Sequence, residues 1–191
     1  AQESRGLGDV YKRQEFLFSL VDAYRKTGDK KYLEKSIETI RGWINQNPKA
    51  NGGEGWSPYT IDLRLTNWMG YYAAVHTELD DDFQSLFINS VHEQYDFLSR
   101  HLEKDILGNH YFEDLKALVI CALFFNDEPV LHTALKVFKA ECKEEILPDG
   151  MHFELSPMYH KLIFEGVIRV AVALKDRGLD DHEVDGLSLI H

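Results

Sequence analysis

Apolar residues return every three to four positions along nearly the whole of this 191-residue chain. Leu17, Leu20, Val21 and Tyr24 begin the pattern, and Leu33, Ile37, Ile40 and Ile44 continue it after a Gly28-Asp29 break. Ile61, Leu65, Trp68, Tyr72 and Val75 give a third stripe. Phe83, Phe87, Val91, Tyr95, Leu98 and Leu102 give a fourth. Leu131, Leu135, Phe138, Cys142 and Ile146 repeat it, as do Ile163, Val167, Val170 and Leu174. Each stripe lies on one side of an amphipathic helix of about four to six turns. Residues 112–125 differ, being apolar nearly all round, which predicts a helix buried on every side. The only alternating stretch, residues 151–155, is bounded by Asp149-Gly150 and Ser156-Pro157 and reads as an extended crossing between helices. The fold class expected is all-α, made of antiparallel helical hairpins closing as a bundle, a solenoid or an incomplete α/α toroid. No repeat of fixed period supports the solenoid.

Composition narrows the function classes. At 44% apolar and 28% charged residues the chain is rich enough in apolar side chains to fold. A net charge of −11 argues against nucleic acid, which calls for a basic face. It also disfavours an anionic polymer as partner, unless a local cleft field opposes the global one. The longest apolar run, residues 117–125, falls far short of the ~20 residues that span a bilayer. Cys121 and Cys142 fall on apolar stretches and read as core residues, with no Cys/His spacing for structural zinc. Residues 1–14 and 187–191 carry little periodicity and look like translated adapter sequence, the alternative being natural frayed ends. The expected domain is therefore 15–186.

Three segments carry more chemistry than helix punctuation needs. In the first, Trp56, Pro58 and Tyr59 lead into a helix bearing Arg64, Asn67 and Trp68 on one side. Aromatic faces beside a guanidinium suit an acidic sugar, whereas the structural alternative makes Trp68 core and Trp56 a loop plug. In the second, Gly108-Asn109-His110 opens the most buried helix, with Glu113 one turn on. Asn109 is there a candidate N-cap, and Glu113 suits the helix dipole. The third runs from Pro148 to His160 and gathers His152, Glu154, Tyr159 and His160 around a helix start at Ser156-Pro157. Tyr159 falls in the first turn, where the helix dipole favours its phenolate.

Gly108-Asn109-His110, followed some forty residues later by Leu147-Pro148-Asp149-Gly150-Met151-His152-Phe153-Glu154-Leu155-Ser156-Pro157-Met158-Tyr159-His160, resembles the heparinase II/III family of polysaccharide lyases. The Trp56, Pro58, Tyr59, Arg64, Asn67, Trp68 pattern is similar to that family's upstream segment. The likeness covers roughly residues 15–180. It implies part of an N-terminal α/α toroid, with a C-terminal β-sandwich domain, lying outside this sequence, as its partner in cis.

By this resemblance the chemistry is β-elimination at a uronic acid. The carboxylate must be neutralised, a base must remove the C5 proton, and an acid must protonate the leaving oxygen. Asn109 and His110 match the neutralising positions, Tyr159 the base or acid, and Glu113 a supporting acid. Trp56, Tyr59, Arg64, Asn67, His152, Glu154 and His160 are the expected substrate lining. The implied partner is an anionic uronate polysaccharide of unspecified type, with no nucleic acid and no membrane span. No cofactor or metal is expected in this chain, although the β-sandwich domain would offer a structural metal site. The family points to a periplasmic or secreted location. On its own this piece is expected to be inactive. A lyase-like domain that binds glycan without cleaving it, and a helical scaffold, are the competing classes. Convergence of Asn109, His110 and Tyr159 separates them from an enzyme.

Overall fold

The computed structural model describes residues 16–49, 52–104 and 109–179. The suspected foreign ends and Gly108 lie outside the described residues. Seven helices are described: α1 (16–27), α2 (Lys30–Gln46), α3 (Pro58–Val75), α4 (Asp81–Arg100), α5 (Asn109–Phe125), α6 (Glu128–Glu145) and α7 (Pro157–Asp176). Among the described residues there is no strand, only an isolated antiparallel bridge between Ile146 and His152. The chain divides into two compact units, one ending at Arg100 and the other beginning at His101.

In the first unit the helix ends follow their sequence signals. Gly28 takes a left-handed φ of 68°, and Asp29 caps α2 by accepting from the Lys31 amide at 3.1 Å. The core is aromatic. Trp68 meets Trp43 edge-on at 5.4 Å, and Tyr72 stacks on Phe87 at 5.4 Å. One expectation needs correcting. The α3 stripe read as the inner side of an amphipathic helix, yet Asp62, Leu63, Arg64 and Thr66 are buried as well. This helix is enclosed on nearly every side, and its guanidinium is satisfied inside. Arg64 donates Nε–H to Gln94 and Nη2–H to the Gly55 carbonyl at 2.7 Å, and its guanidinium lies 3.8 Å from the centre of the Trp43 ring.

The second unit is built on α5. Asn126 and Asp127 alone join it to α6, Asn126 in the left-handed region (φ 57°) and Asp127 capping α6 through the Val130 amide. Phe112 packs on Phe138 of α6 at 4.7 Å. On the other side α7 comes close, because Gly166 presents no side chain; a Cβ there would lie 2.6 Å from Phe112 Cε1. The all-round burial expected over residues 112–125 holds except at Ile120, Phe124 and Phe125, which are half-buried, and both cysteines are buried. Less expected are Glu113, Asp114 and Lys116, buried in the first turns of this otherwise apolar helix. The crossing from α6 to α7 is a tight reversal: Leu147 N–H bonds Met151 O at 2.8 Å, and Phe153 N–H bonds Glu145 O at 2.8 Å. Leu155 then takes a left-handed φ of 53° before Ser156 and Pro157 start α7. On α7, Phe164, Ile168 and Val172 form an exposed apolar stripe.

Candidate active site

The crossing brings His152 into the interior. Its ring is fully buried and lies 6.4 Å from that of Tyr159, which stands third in α7. His152 Nδ1 accepts from the Glu154 amide at 3.3 Å, so in the neutral ring the proton sits on Nε2. That edge faces Glu145 Oε2 at 3.5 Å. Glu145 ends α6 and is buried at 3% exposure, and neither of its carboxyl oxygens has a hydrogen bond. Burial, reinforced by Glu141, Glu154, Glu144 and Glu113, pushes its carboxyl up to about 7. Burial moves His152 the opposite way, below the usual imidazole value, although Glu154 opposes the shift.

From α5, Glu113 reaches the same neighbourhood. It forms a buried ion pair with Lys116 through Oε2, while its Oε1 has no hydrogen bond. Asn109, one turn earlier on that face, begins α5 and keeps a buried Oδ1 with no hydrogen-bond partner. The oxygen that an N-cap would use therefore caps nothing. His110 turns to Glu103, with Nδ1 3.0 Å from Oε2. Glu154 is exposed and offers its backbone rather than its side chain to His152. His160 is half-buried and stacks on Phe164 at 6.3 Å.

The other expected lining residues belong to the first unit. Trp56 is 6% exposed, donates its indole N–H to the Asn47 carbonyl at 3.0 Å and meets Phe97 edge-on at 5.6 Å, the arrangement of a loop plug. Tyr59 and Asn67 are half-buried. Arg64 is enclosed, and burial pulls its guanidinium down to about 9, still cationic at neutral pH. It lines, with Trp43, Gln46, Asn47, Thr60 and Trp68, an open groove of about 590 Å³. Sequence reasoning missed Trp43 here and Glu145 in the second unit. Trp43 falls outside the apolar stripe of α2, and Glu145 reads as one more charge in an acidic run.

Among the described residues no helix is long and apolar enough to cross a membrane, and no His, Cys, Asp and Glu cluster is placed to hold a metal. The class defined by these features is an all-α domain of helical hairpins with buried polar atoms of Asn109, Glu113, Glu145 and His152 that lack hydrogen bonds. Solved structures bear out the fold. Heparan sulfate lyase HepC from Pedobacter heparinus matches with a TM-score of 0.71 at 23% identity, over 91% of this chain and 29% of that one. The heparinase III BT4657 gene product matches with a TM-score of 0.70 at 18% identity, over 91% and 32%. This places the chain in the incomplete α/α-toroid class.

The chain belongs to the heparinase II/III family: the family model described as Heparinase II/III N-terminus matches residues 10–183. It is 32% identical over 147 residues to a heparin-sulfate lyase of Pedobacter heparinus, and 30% identical over 157 residues to one of Bacteroides thetaiotaomicron. These alignments cover 72% and 78% of the chain but 22% of each relative. The chain thus spans about a fifth of the length of the curated relatives it matches.

Proposed function

We propose that this chain supplies part of the catalytic cleft of a polysaccharide lyase that cleaves a uronic-acid polymer by β-elimination. One observation carries the reading most directly. Asn109 and Glu113, one turn apart at the start of α5, keep buried side-chain oxygens without hydrogen bonds, in the same unit as Tyr159. Folded proteins seldom leave such atoms unsatisfied, and sites that engage a ligand are a principal exception.

In this mechanism the Asn109 amide, with His110 beside it, meets the substrate carboxylate and offsets the charge that develops when C5 loses its proton. Tyr159 takes that proton as phenolate. The C5–H electron pair forms the C4–C5 double bond, and the C4–O bond breaks toward the leaving sugar. A phenol then returns a proton to the leaving oxygen. Glu113 supports the group from one turn behind Asn109. A heparan-type polymer is the preferred substrate, because both curated relatives carry that activity in their names. The catalytic set is completed by residues beyond this chain.

A chimaera tests this. Residues 109–160 replace the matching stretch of the Pedobacter heparinus heparin-sulfate lyase, and the ultraviolet absorbance of unsaturated product is followed on heparan sulfate. Turnover that Tyr159→Phe lowers by about 10²–10⁴ is the expected result. A folded chimaera without turnover, or one indifferent to Tyr159→Phe, overturns the proposal.

A further inference from the structure

We propose that Glu145 is a positioning residue of this site: its buried carboxyl group holds the His152 imidazole, and through it the crossing that delivers Tyr159, in a single arrangement. It rests on the role given to Tyr159 above. Glu145 grips the crossing at two points. Its backbone carbonyl accepts from Phe153 N–H at 2.8 Å, and its side chain faces His152 Nε2 at 3.5 Å. Neither Glu145 oxygen, nor His152 Nε2, has any other hydrogen-bond partner. A buried carboxyl and a buried imidazole edge that have no other hydrogen-bond partner form a matched donor and acceptor.

The tautomer follows from the backbone. Glu154 N–H is a donor, so His152 Nδ1 must accept, and the ring must stay neutral for that bond to survive. An imidazolium would turn Nδ1 into a donor against another donor and open the turn. That turn is closed a second time by Leu155 N–H on the His152 carbonyl at 2.9 Å. Pro157 begins α7 two residues later, with Tyr159 in its first turn. The path from Glu145 to Tyr159 is therefore short and hydrogen-bonded at each reversal, and the His152 ring itself lies 6.4 Å from the Tyr159 ring.

The charges around the pair set its proton. Facing it are Glu113 and its partner Lys116 from α5, Glu141 and Glu144 from α6, Glu154 from the crossing and His160 from α7. Four of these are carboxylates bearing on Glu145, and burial adds to them, so the carboxyl exchanges its proton near neutrality. When it ionises, its pull on Nε2–H strengthens and the 3.5 Å contact closes into a charge-assisted hydrogen bond. That strengthens the local contact with His152, while burying the new charge costs the fold as a whole. Histidine supplies the neutral donor, and glutamate sets how hard it is held.

Nuclear magnetic resonance on the whole 191-residue chain, labelled at histidine nitrogen and tyrosine ring carbon, reads this without turnover. The expected spectrum has His152 in the Nε2–H form, with its nitrogens and the Tyr159 ring sharing one titration step near pH 7. Glu145→Gln abolishes that step at both residues, and His152→Gln abolishes it at Tyr159. An Nδ1–H tautomer, a step at His152 that Tyr159 does not share, or a step that survives Glu145→Gln overturns the proposal. If Glu145→Gln does not fold, the wild-type tautomer and the shared step decide by themselves. Because these signals need no catalysis, an active Tyr159→Phe chimaera would defeat the lyase reading while leaving this result to be judged separately.

Discussion

Glu113 and Lys116 stand one turn apart on α5 as an ion pair buried at 2% and 7% side-chain exposure, and the carboxylate uses only one of its two oxygens for it. Charges enclosed in this way are retained at a cost in desolvation, and the cost rises sharply if one partner is removed. Lys116→Met should destabilise the chain by about 3–5 kcal/mol, because it strands the Glu113 carboxylate. The double replacement with Glu113→Leu should recover most of that loss. Thermal melts of the three variants check both statements.

Stability should carry the signature of Glu145. Its carboxyl is raised from an ordinary 4.5 to about 7, so the folded chain keeps a proton that the unfolded chain has released within this window. The stabilisation is complete below about pH 4.5 and is lost as pH rises through about 7. Glu145→Gln removes that dependence. Denaturant midpoints of the wild type relative to the variant should therefore fall with rising pH across the window, by on the order of 3 kcal/mol at most.

Asn109 separates stability from chemistry. Since its Oδ1 caps nothing, Asn109→Ala should change stability by no more than about 0.5 kcal/mol, where a true N-cap would lose ~1 kcal/mol. In the active chimaera the same change should lower turnover by about 10²–10³, as the loss of one preorganised donor does. Asn109→Asp should also fail, because it sets a negative charge against the substrate carboxylate. Near-normal turnover by Asn109→Asp would remove Asn109 from the mechanism.

Gly166 is held by space. Alanine there brings a methyl to 2.6 Å from Phe112, and the overpacking cost of about 1–3 kcal/mol opposes the ~1 kcal/mol that alanine gains as a helix former. Net destabilisation of Gly166→Ala is expected in a thermal melt. Phe112→Leu, which opens room, should reduce the penalty in the double variant.

The stripe of Phe164, Ile168 and Val172 on α7 should make the isolated chain self-associate. Ile168→Lys should shift sedimentation profiles toward the monomer without lowering helicity. A chain that stays monomeric at high concentration would contradict this.

Helix positions were legible because their apolar residues recur at helical spacing and two of their ends carry Gly28-Asp29 and Ser156-Pro157. The enclosure of α3 was not. Asp62, Arg64 and Thr66 look like a solvated side, and only the partners that satisfy Arg64 inside, Gln94 and the Gly55 carbonyl, reveal otherwise. Tyr159 and His152 were visible as candidates because the sequence around a proline-led helix start concentrates titratable groups. Glu145 was hidden in Glu141, Glu144 and Glu145, where three acids at the end of a helix differ only in the side they occupy. Trp56 looked like a stacking surface, and its buried ring shows how a loop aromatic is drawn inward when a backbone carbonyl awaits its N–H.

Leu155 occupies a left-handed backbone conformation that suits glycine better, and its side chain stays largely in water at 66% exposure. A leucine there gains little from burial, and holding it in that conformation costs of order 1–3 kcal/mol. What it does contribute is stiffness, since a glycine at this point would let the crossing sample many more backbone paths before α7 begins. The choice of side chain thus exchanges local ease for reproducibility, so that each molecule in a population presents its tyrosine the same way.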